Sequence, residues 1–463
     1  MTERVAGSFR DPAGFVFTRD GALYRQVNHS FAAEYARLES SGLAAALHAA
    51  GLLIGHREVD VAPAEPAEAA VVLQPDVVEV ISYPFEWCPG QLRAAALATL
   101  DAQQLALEHG MTLRDASSYN VQFHRGRPVL IDTLSFAPLV ENAPWVAYRQ
   151  FCQHFLAPLA LMAQVDVRLG QLLRTHLDGI PLDLAAQLLP ASTRLRPGLA
   201  IHVIAHARSQ GRHAGSPAAG AGEAAGRPFS LQAFKGLIAS LRRAVEKQVW
   251  EPPASAWRDY YATKPSYSDA AQEHKTELVA KVLADLAPAT VWDLGANTGR
   301  FSRIAAAAGA TVVSIESDPS AVELSWRQVV EQGETAVLPL WMDLSNPTPA
   351  QGWAHRERGS LTDRGPADVA LALALVHHLA IGGNVPLDDI AAWFATLCRR
   401  LVIEWVPKAD PMVQRLLASR EDVFADYTVE RFEAAMTRHF AVERREDVRG
   451  SSRSLYVLRR DPE

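Results

Sequence analysis

From residue 290 to the C-terminus, short apolar runs alternate with stretches in which apolar residues recur at helical spacing. Runs of this kind, bounded by Gly, Asp and Asn, predict strands, and the longer periodic stretches between them predict helices. The strands fall at Val291–Leu294, Thr311–Glu316, Ala336–Trp341, Val369–Ala374, Leu401–Glu404, Phe440–Arg444 and Ser454–Leu458. Helices between most of them predict an α/β domain with a doubly wound, largely parallel sheet. Only a short polar turn separates the last two strands, so this seven-stranded sheet is expected to end in an antiparallel hairpin.

The first half is patterned differently. Residues 13 to 28 read as two strands around Asp20-Gly21, a strong hairpin signal. Helical spacing follows from Phe31 to Ala50, with Gly51 as a C-cap, and Val77–Ser82 reads as a further strand. Pro84 and Pro89-Gly90 break the chain before an amphipathic helix over Gln91–His109. A second hairpin turns at Arg125-Gly126, and from Pro144 to Ser209 the pattern is helical. Gln210–Arg227 is rich in Gly, Ala and Ser and reads as a flexible linker. The expected division is an α+β domain at 1–209, a linker at 210–230 and the α/β domain at 231–463. That last domain opens with helices over Leu231–Val249 and Asp269–Leu286, on either side of an aromatic segment, Trp257–Tyr267, suited to packing or to a lid.

Bulk composition narrows the classes. Two or three domains are expected of 463 residues, and a net charge of −7 argues against a dedicated nucleic-acid binder. Cys88, Cys152 and Cys398 form no paired framework, and the N-terminus lacks the apolar core of a signal peptide, so a cytoplasmic location is expected. The apolar runs are too short to span a bilayer. Oligomeric state is not legible.

The densest chemistry lies at Thr290–Ser302. An apolar strand ends at Asp293, a turn with Gly295 and Gly299 follows, and a helix begins at Arg300. Glycine permits the sharp turn and close approach of a ligand, and the new helix offers unpaired N–H groups, so a nucleotide site is expected. Strand ends then carry Glu316 and Asp343, and His377-His378 follow the fourth strand. These positions, in register, resemble the class I S-adenosylmethionine-dependent methyltransferases over roughly residues 255–463. Asn297 stands where many members have the middle glycine of the turn, and Asn tolerates left-handed backbone angles. The resemblance implies a Rossmann-like fold with S-adenosylmethionine held by Asp293, Gly295, Asn297, Gly299, Glu316 and Asp343. It implies a small-molecule or glycan acceptor, with His377, His378 and Glu404 as catalytic candidates and no metal in this domain. Glu404 is expected either to hold the acceptor or to pair with Lys408 or a nearby Arg. Arg420-Glu421-Asp422 and Tyr427 lie where substrate-selective loops often sit. A dinucleotide-binding unit is the competing reading of the turn alone. The turn, the His pair and the segment Val402–Pro411 resemble, more loosely, the NoeA-type nodulation-protein relatives.

In the first half, Asp115, Asn120 and Asp132 resemble the catalytic loop and metal-binding acid of protein-kinase-like enzymes of the aminoglycoside phosphotransferase type. That resemblance implies Mg-ATP as a second cofactor. It departs from the family in that no lysine precedes Lys235, so Arg25 is the stand-in for the phosphate-pairing lysine; Gly14 alone makes a poor phosphate loop, and Asp132 leads into Thr-Leu-Ser without the Phe that normally follows the second acid. The domain is therefore either an active small-molecule kinase, giving a bifunctional enzyme, or a pseudokinase-like module for substrate or partner binding. A non-catalytic assembly protein that binds S-adenosylmethionine structurally is the third alternative. His202 and His206 share a helix face but have no evident third ligand for a metal.

Overall fold

The computed structural model describes residues 2–207, 229–254, 268–418 and 420–460. Its chain divides into two compact units, Met1–Glu251 with Gly352–Arg358, and Pro252–Gln351 with Gly359–Glu463. The linker over 210–227 and the aromatic segment Trp257–Tyr267 lie outside the described residues.

The first unit is α+β. Its five-stranded antiparallel sheet comprises β1 (Thr2–Arg4), β2 (Gly14–Arg19), β3 (Ala22–Asn28), β4 (His56–Glu58) and β5 (Ala69–Pro75), in the order β1-β2-β3-β5-β4. The β2–β3 turn uses positive φ at both Asp20 (50°) and Gly21 (82°), the geometry that matches strand twist in a two-residue hairpin. The expected helix over 31–50 is two helices, Ala32–Ser40 and Leu43–Ala49, because Gly42 at φ 78° interrupts the helical backbone. The strand expected at Val77–Ser82 lies earlier, at β5, where Ala69–Pro75 pairs with both β3 and β4; Val77 beyond it is exposed. The helix Pro89–Glu108 buries one long face and is the backbone of the helical part. The short strands β6 (Met111–Leu113) and β9 (Phe136–Pro138) pair, as do β7 (Val121–His124) and β8 (Arg127–Leu130). The helix Leu231–Glu246, expected to open the second domain, packs on Pro89–Glu108 within this unit. Its buried stripe of Phe234, Ile238, Leu241 and Val245 recurs at three- to four-residue spacing, so it belongs to whichever unit offers an apolar partner.

The second unit carries one seven-stranded sheet: β10 (Thr290–Leu294), β11 (Thr311–Glu316), β12 (Val337–Trp341), β13 (Ala367–Ala372), β14 (Cys398–Trp405), β15 (Phe440–Asp447) and β16 (Ser454–Arg460). Their order is β12-β11-β10-β13-β14-β16-β15. β10 to β14 are parallel, and β16 runs antiparallel between β14 and β15. The parallel strands are nearly continuous apolar runs, as sheets covered on both faces require. Successive connections carry the chain outward from β10 through β11 to β12, then back to β13 on its other side. That reversal opens a crevice at the strands' C-terminal ends, where open α/β sheets bind ligands. A strand inserted antiparallel between the fifth and the outermost strand separates this order from the 3-2-1-4-5-6 of dinucleotide-binding folds.

The helix Leu387–Leu397 covers this sheet with Ile390, Ala391, Phe394 and Leu397, all buried. Phe394→Ala leaves a cavity under it and is expected to cost about 3–5 kcal/mol. Urea denaturation followed by tryptophan fluorescence measures this; a change below about 1 kcal/mol would contradict the packing described.

Candidate functional site

The crevice is a cleft of about 210 Å³ lined from β10, β11, β12 and β13 and the segments that follow them. Its floor is the turn after β10. Gly295 (φ 80°), Asn297 (φ 53°) and Gly299 (φ 83°) all have left-handed backbone. The Gly295 and Ala296 amides both donate to the Ile315 carbonyl at 2.9 Å, which pins the turn to the end of β11. At Gly299 the positive φ is what favours glycine; a Cβ there would also press on the side chains of Arg303 (Nη1 at 2.6 Å) and Ser325 (Oγ at 2.9 Å), which would have to shift. Asn297 satisfies the turn locally, its Oδ1 accepting the Thr298 amide at 2.7 Å.

Two acids line the cleft from inside. Asp293, the penultimate residue of β10, is buried and accepts the Ser302 hydroxyl at 2.6 Å. Burial pushes its carboxyl up to about 6, against the Ser302 hydrogen bond, and the Glu316 charge adds to the rise. Glu316 ends β11. Its Oε1 accepts from the Ser317 amide (2.7 Å), the Ser317 hydroxyl (3.0 Å) and the Asp318 amide (2.9 Å), and its Oε2 accepts from the Asn297 amide at 2.9 Å. Burial lifts this carboxyl too, despite the surrounding donors. Oε1 is filled by three donors, so the acceptor capacity left for a ligand lies on Oε2, held in a set direction. Asp343 follows β12, is exposed, lines the cleft and accepts the Ser345 amide at 2.8 Å.

The opposite wall comes from the exit of β13. Ala374 sits at φ 53°, a conformation costly for a residue with a Cβ and common at functional sites. It swings the chain so that His377 and His378 line the cleft, with ring centroids 4.2 Å apart. His378 opens a π-helical turn, His378–Gly382. His377 is 1% exposed, and neither ring nitrogen has a hydrogen-bond partner among the described residues. Burial holds it far below the usual imidazole range, helped by His378, Arg453 and Lys275; burial and Arg453 bring His378 down to about 4. Both are therefore neutral at physiological pH.

Glu404 is fully buried at the end of β14 and does not line the cleft. Lys275 Nζ contacts its Oε2 at 2.6 Å, and Arg453 Nη1 lies 3.9 Å from Oε1. Lys408 instead contacts Asp422 at 2.7 Å and donates to the Phe424 carbonyl. Arg453 also grips Asp410, at 2.7 and 3.1 Å. Lys275 and Arg453 both line the cleft, and sequence reasoning missed them. A signal existed for Lys275: it shares the buried stripe Ala271, Lys275, Leu278, Val279, Val282 of the helix Asp269–Leu286, where a charge is out of place. Tyr427 is buried, donates to the Val406 carbonyl at 2.8 Å and stacks on Trp405; Arg420 donates to the Ile381 carbonyl.

In the first unit, Arg25 forms an ion pair with Asp132. Asp132 also accepts the Leu134 amide and, at 2.5 Å, the Ser135 hydroxyl, which in turn accepts Asn120 Nδ2 at 3.2 Å. Burial raises the Asp132 carboxyl, but Arg25 and these donors outweigh it and hold it below the usual carboxylate range. Asp115 is held separately by Gln150 Nε2 (2.7 Å) and the Ser117 amide. Arg25, Asn120 and Asp132 thus form one connected set, whose one cation is spent on Asp132. Nothing here supports the expected Mg-ATP. Among the described residues no group of three or more His, Cys, Asp or Glu is placed to hold a metal. His202 is hydrogen-bonded to Tyr148 (2.8 Å) and Ser240 (2.9 Å), and His206 stacks on Tyr148.

Fold and cleft together define the second unit as a Rossmann-like α/β unit with its candidate site at the strand-order switch. No protein-family model matches the chain. Over 466 residues it is 36% identical to nodulation protein NoeA of Rhizobium meliloti (strain 1021), covering 99% of this chain and 96% of that protein. The chain belongs to the NoeA family. Among solved structures it is similar to the bifunctional kinase-methyltransferase WbdD, at 17% identity and TM-score 0.30, over 42% of this chain and 40% of that one. It is also similar to magnesium protoporphyrin IX methyltransferase of Synechocystis PCC 6803 with bound S-adenosylhomocysteine, at 16% and 0.31, over 44% and 97%. A third is N-methyltransferase NodS of Bradyrhizobium japonicum WM9, at 12% and 0.32, over 42% and 99%. Overlaps of this extent do not assign a reaction. No helix among the described residues is long and apolar enough to cross a membrane.

The raised Asp293 carboxyl has a measurable consequence. Between the unfolded value of about 4 and the folded value of about 6, the folded chain keeps a proton that the unfolded chain has lost. This contribution to stability is full below about pH 4 and is lost as pH rises through about 6, a swing of up to about 3 kcal/mol. Asp293→Asn cannot titrate. The stability of the wild type minus that of the variant, from urea midpoints, is expected to fall over this window and stay level above about pH 7. A difference independent of pH would contradict the burial of this charge.

Proposed function

We propose that this chain is an S-adenosylmethionine-dependent methyltransferase acting on a small molecule, glycan or secondary metabolite. The observation that carries this reading is the clamped Glu316 carboxylate, facing the same cleft as the left-handed turn after β10. Glu316 would hold the ribose hydroxyls, Asp343 would stand by the adenine edge, and Gly295, which lines the cleft without a Cβ, would let the cofactor come close to the backbone. Asp293 would face its amino-acid end, where a buried carboxylate offsets positive charge. Bound there, the cofactor supplies an electrophilic methyl group. The protein's own share is to orient, to exclude water and to take up a proton. Both histidines are neutral in the cleft wall and so able to accept one. Glu404 acts at one remove, as the anchor of Lys275.

We read the first unit as a kinase-like module for substrate or partner binding. The connected set around Asp132 is what favours this over an active kinase: Arg25, the stand-in for a phosphate-pairing cation, is engaged by the acid that would bind metal. The location this reading implies is the cytoplasm.

Calorimetry with S-adenosylmethionine on the intact chain tests the proposal. Binding is expected for the wild type, weakened at least about tenfold in Glu316→Ala and in Asp293→Ala, as befits loss of charge-assisted contacts of about 1.5–3 kcal/mol. Undiminished binding in both variants, or none in the wild type, would overturn it.

A further inference from the structure

Two polar side chains in the cleft wall carry buried nitrogens without a partner among the described residues, His377, itself buried, and the half-buried Gln272. Neither nitrogen of His377 meets a donor or acceptor among the described residues, and Gln272 Nε2, which lines the same cleft, is likewise without one. A buried polar group left unmade costs about 1–3 kcal/mol, and folded proteins carry few of them. The partner that such groups lack in the protein is one a ligand supplies.

The surroundings say what kind of ligand suits His377. A neutral imidazole offers one N–H and one lone pair. The charged groups facing it are Lys275 and Arg453, with His378 alongside. Both cations hold carboxylates, Glu404 and Asp410, so they complete a balanced buried network. Leu375, Leu379 and Met412 make the rest of this wall apolar. An ammonium group here would be repelled by Lys275 and Arg453, and a carboxylate would compete with Glu404 and Asp410 for them. A hydroxyl both donates and accepts, carries no charge, and matches the imidazole.

We propose that His377 forms the acceptor subsite, and that the acceptor is an uncharged hydroxyl compound whose O–H proton passes to a ring nitrogen of His377. This rests on the cofactor reading of the same cleft. The cofactor brings its methyl on a sulfonium and departs as an uncharged thioether, the electrons of the broken S–C bond staying on sulfur. The acceptor oxygen forms the new O–C bond with a lone pair and keeps the electron pair of its O–H bond. The proton goes to the free lone pair of His377. One positive charge is lost at sulfur and one appears on the imidazole, so the net charge of the buried site does not change. The same charge balance disfavours an imidazolium before transfer, when the sulfonium, Lys275 and Arg453 all oppose it, and eases it afterwards.

The test uses the full chain saturated with S-adenosylhomocysteine and three probes of one shape, benzyl alcohol, benzylamine and benzoate, followed by saturation-transfer NMR. Benzyl alcohol is expected to bind in preference to the other two. His377→Phe, close in volume, is expected to weaken it at least about fivefold, the worth of one hydrogen bond. His377→Gln, which keeps a donor and an acceptor, is expected to restore most of that binding, and S-adenosylhomocysteine affinity is expected to stay within about threefold in both variants. In nitrogen-15-histidine spectra of the wild type, His377 is expected to remain the neutral tautomer from about pH 6 to 8. Preference for benzylamine or benzoate, binding of none of the three, or alcohol binding unchanged in His377→Phe would overturn the proposal. So would a fall of more than about tenfold in S-adenosylhomocysteine affinity on His377→Phe, which would place His377 on the cofactor. If the wild type does not bind S-adenosylhomocysteine at all, the cofactor reading fails and takes this one with it. Failure of the alcohol arm alone sinks only the acceptor assignment.

Discussion

The second unit depends on one contact, the Asn297 amide donating to the carboxylate of Glu316 at 2.9 Å. It joins the turn after β10 to the end of β11, the two strand ends that flank one side of the switch in strand order. A turn with three left-handed residues has weak local reasons to hold its shape. The carboxylate supplies one, and the Ile315 carbonyl, accepting two further amides of the turn, supplies another. The same bond fixes the orientation of Glu316, so the element that shapes the turn is also the one presented to a ligand. Shape and recognition are coupled here through four donors on one side chain.

A second constraint sits deeper. Lys275, Glu404, Arg453 and Asp410 are all buried and bring together the helix Asp269–Leu286, the end of β14, the segment after it and the turn before β16. Such networks repay their desolvation only when every member is held, and they add little net stability over an apolar core. Their effect here is positional and electrostatic. They place two cations at the cleft wall beside His377, and those cations help to keep the imidazoles neutral. The acids Asp293 and Glu316 and the cations Lys275 and Arg453 line one cleft, and Lys275 is near enough to Asp293 for each charge to act on the other.

Much of this was legible in the sequence, for reasons that can be named. Parallel strands buried on both faces leave continuous apolar runs, so β10 to β12 were readable to within a residue or so, and the closing hairpin followed from its short polar turn. The acids at strand ends were readable because sheet topology alone brings strand ends together. Lys275 and Arg453 were not found, since their partners are far away in sequence: Lys275 meets Glu404 across 129 positions. The strand at β13 ended two residues early because Ala374 adopts a left-handed angle that no alanine advertises. In the first unit the β2–β3 hairpin was plain from Asp20-Gly21, whereas β5 was misplaced, its pairing with β3 and β4 being a tertiary fact. The helix Leu231–Glu246 was right as a helix and assigned to the wrong unit, because an amphipathic stripe does not say which partner covers it.

We propose the cleft at the switch between β10 and β13 as a methyl-donor site organised by Glu316. A crystal structure of the chain with S-adenosylhomocysteine tests it most directly. Density for the ligand is expected in this cleft, with both ribose hydroxyls within hydrogen-bond reach of Glu316 and the thioether sulfur on the side of His377 and His378. Ligand seated elsewhere, or lying in the cleft with its ribose turned away from Glu316, would contradict it.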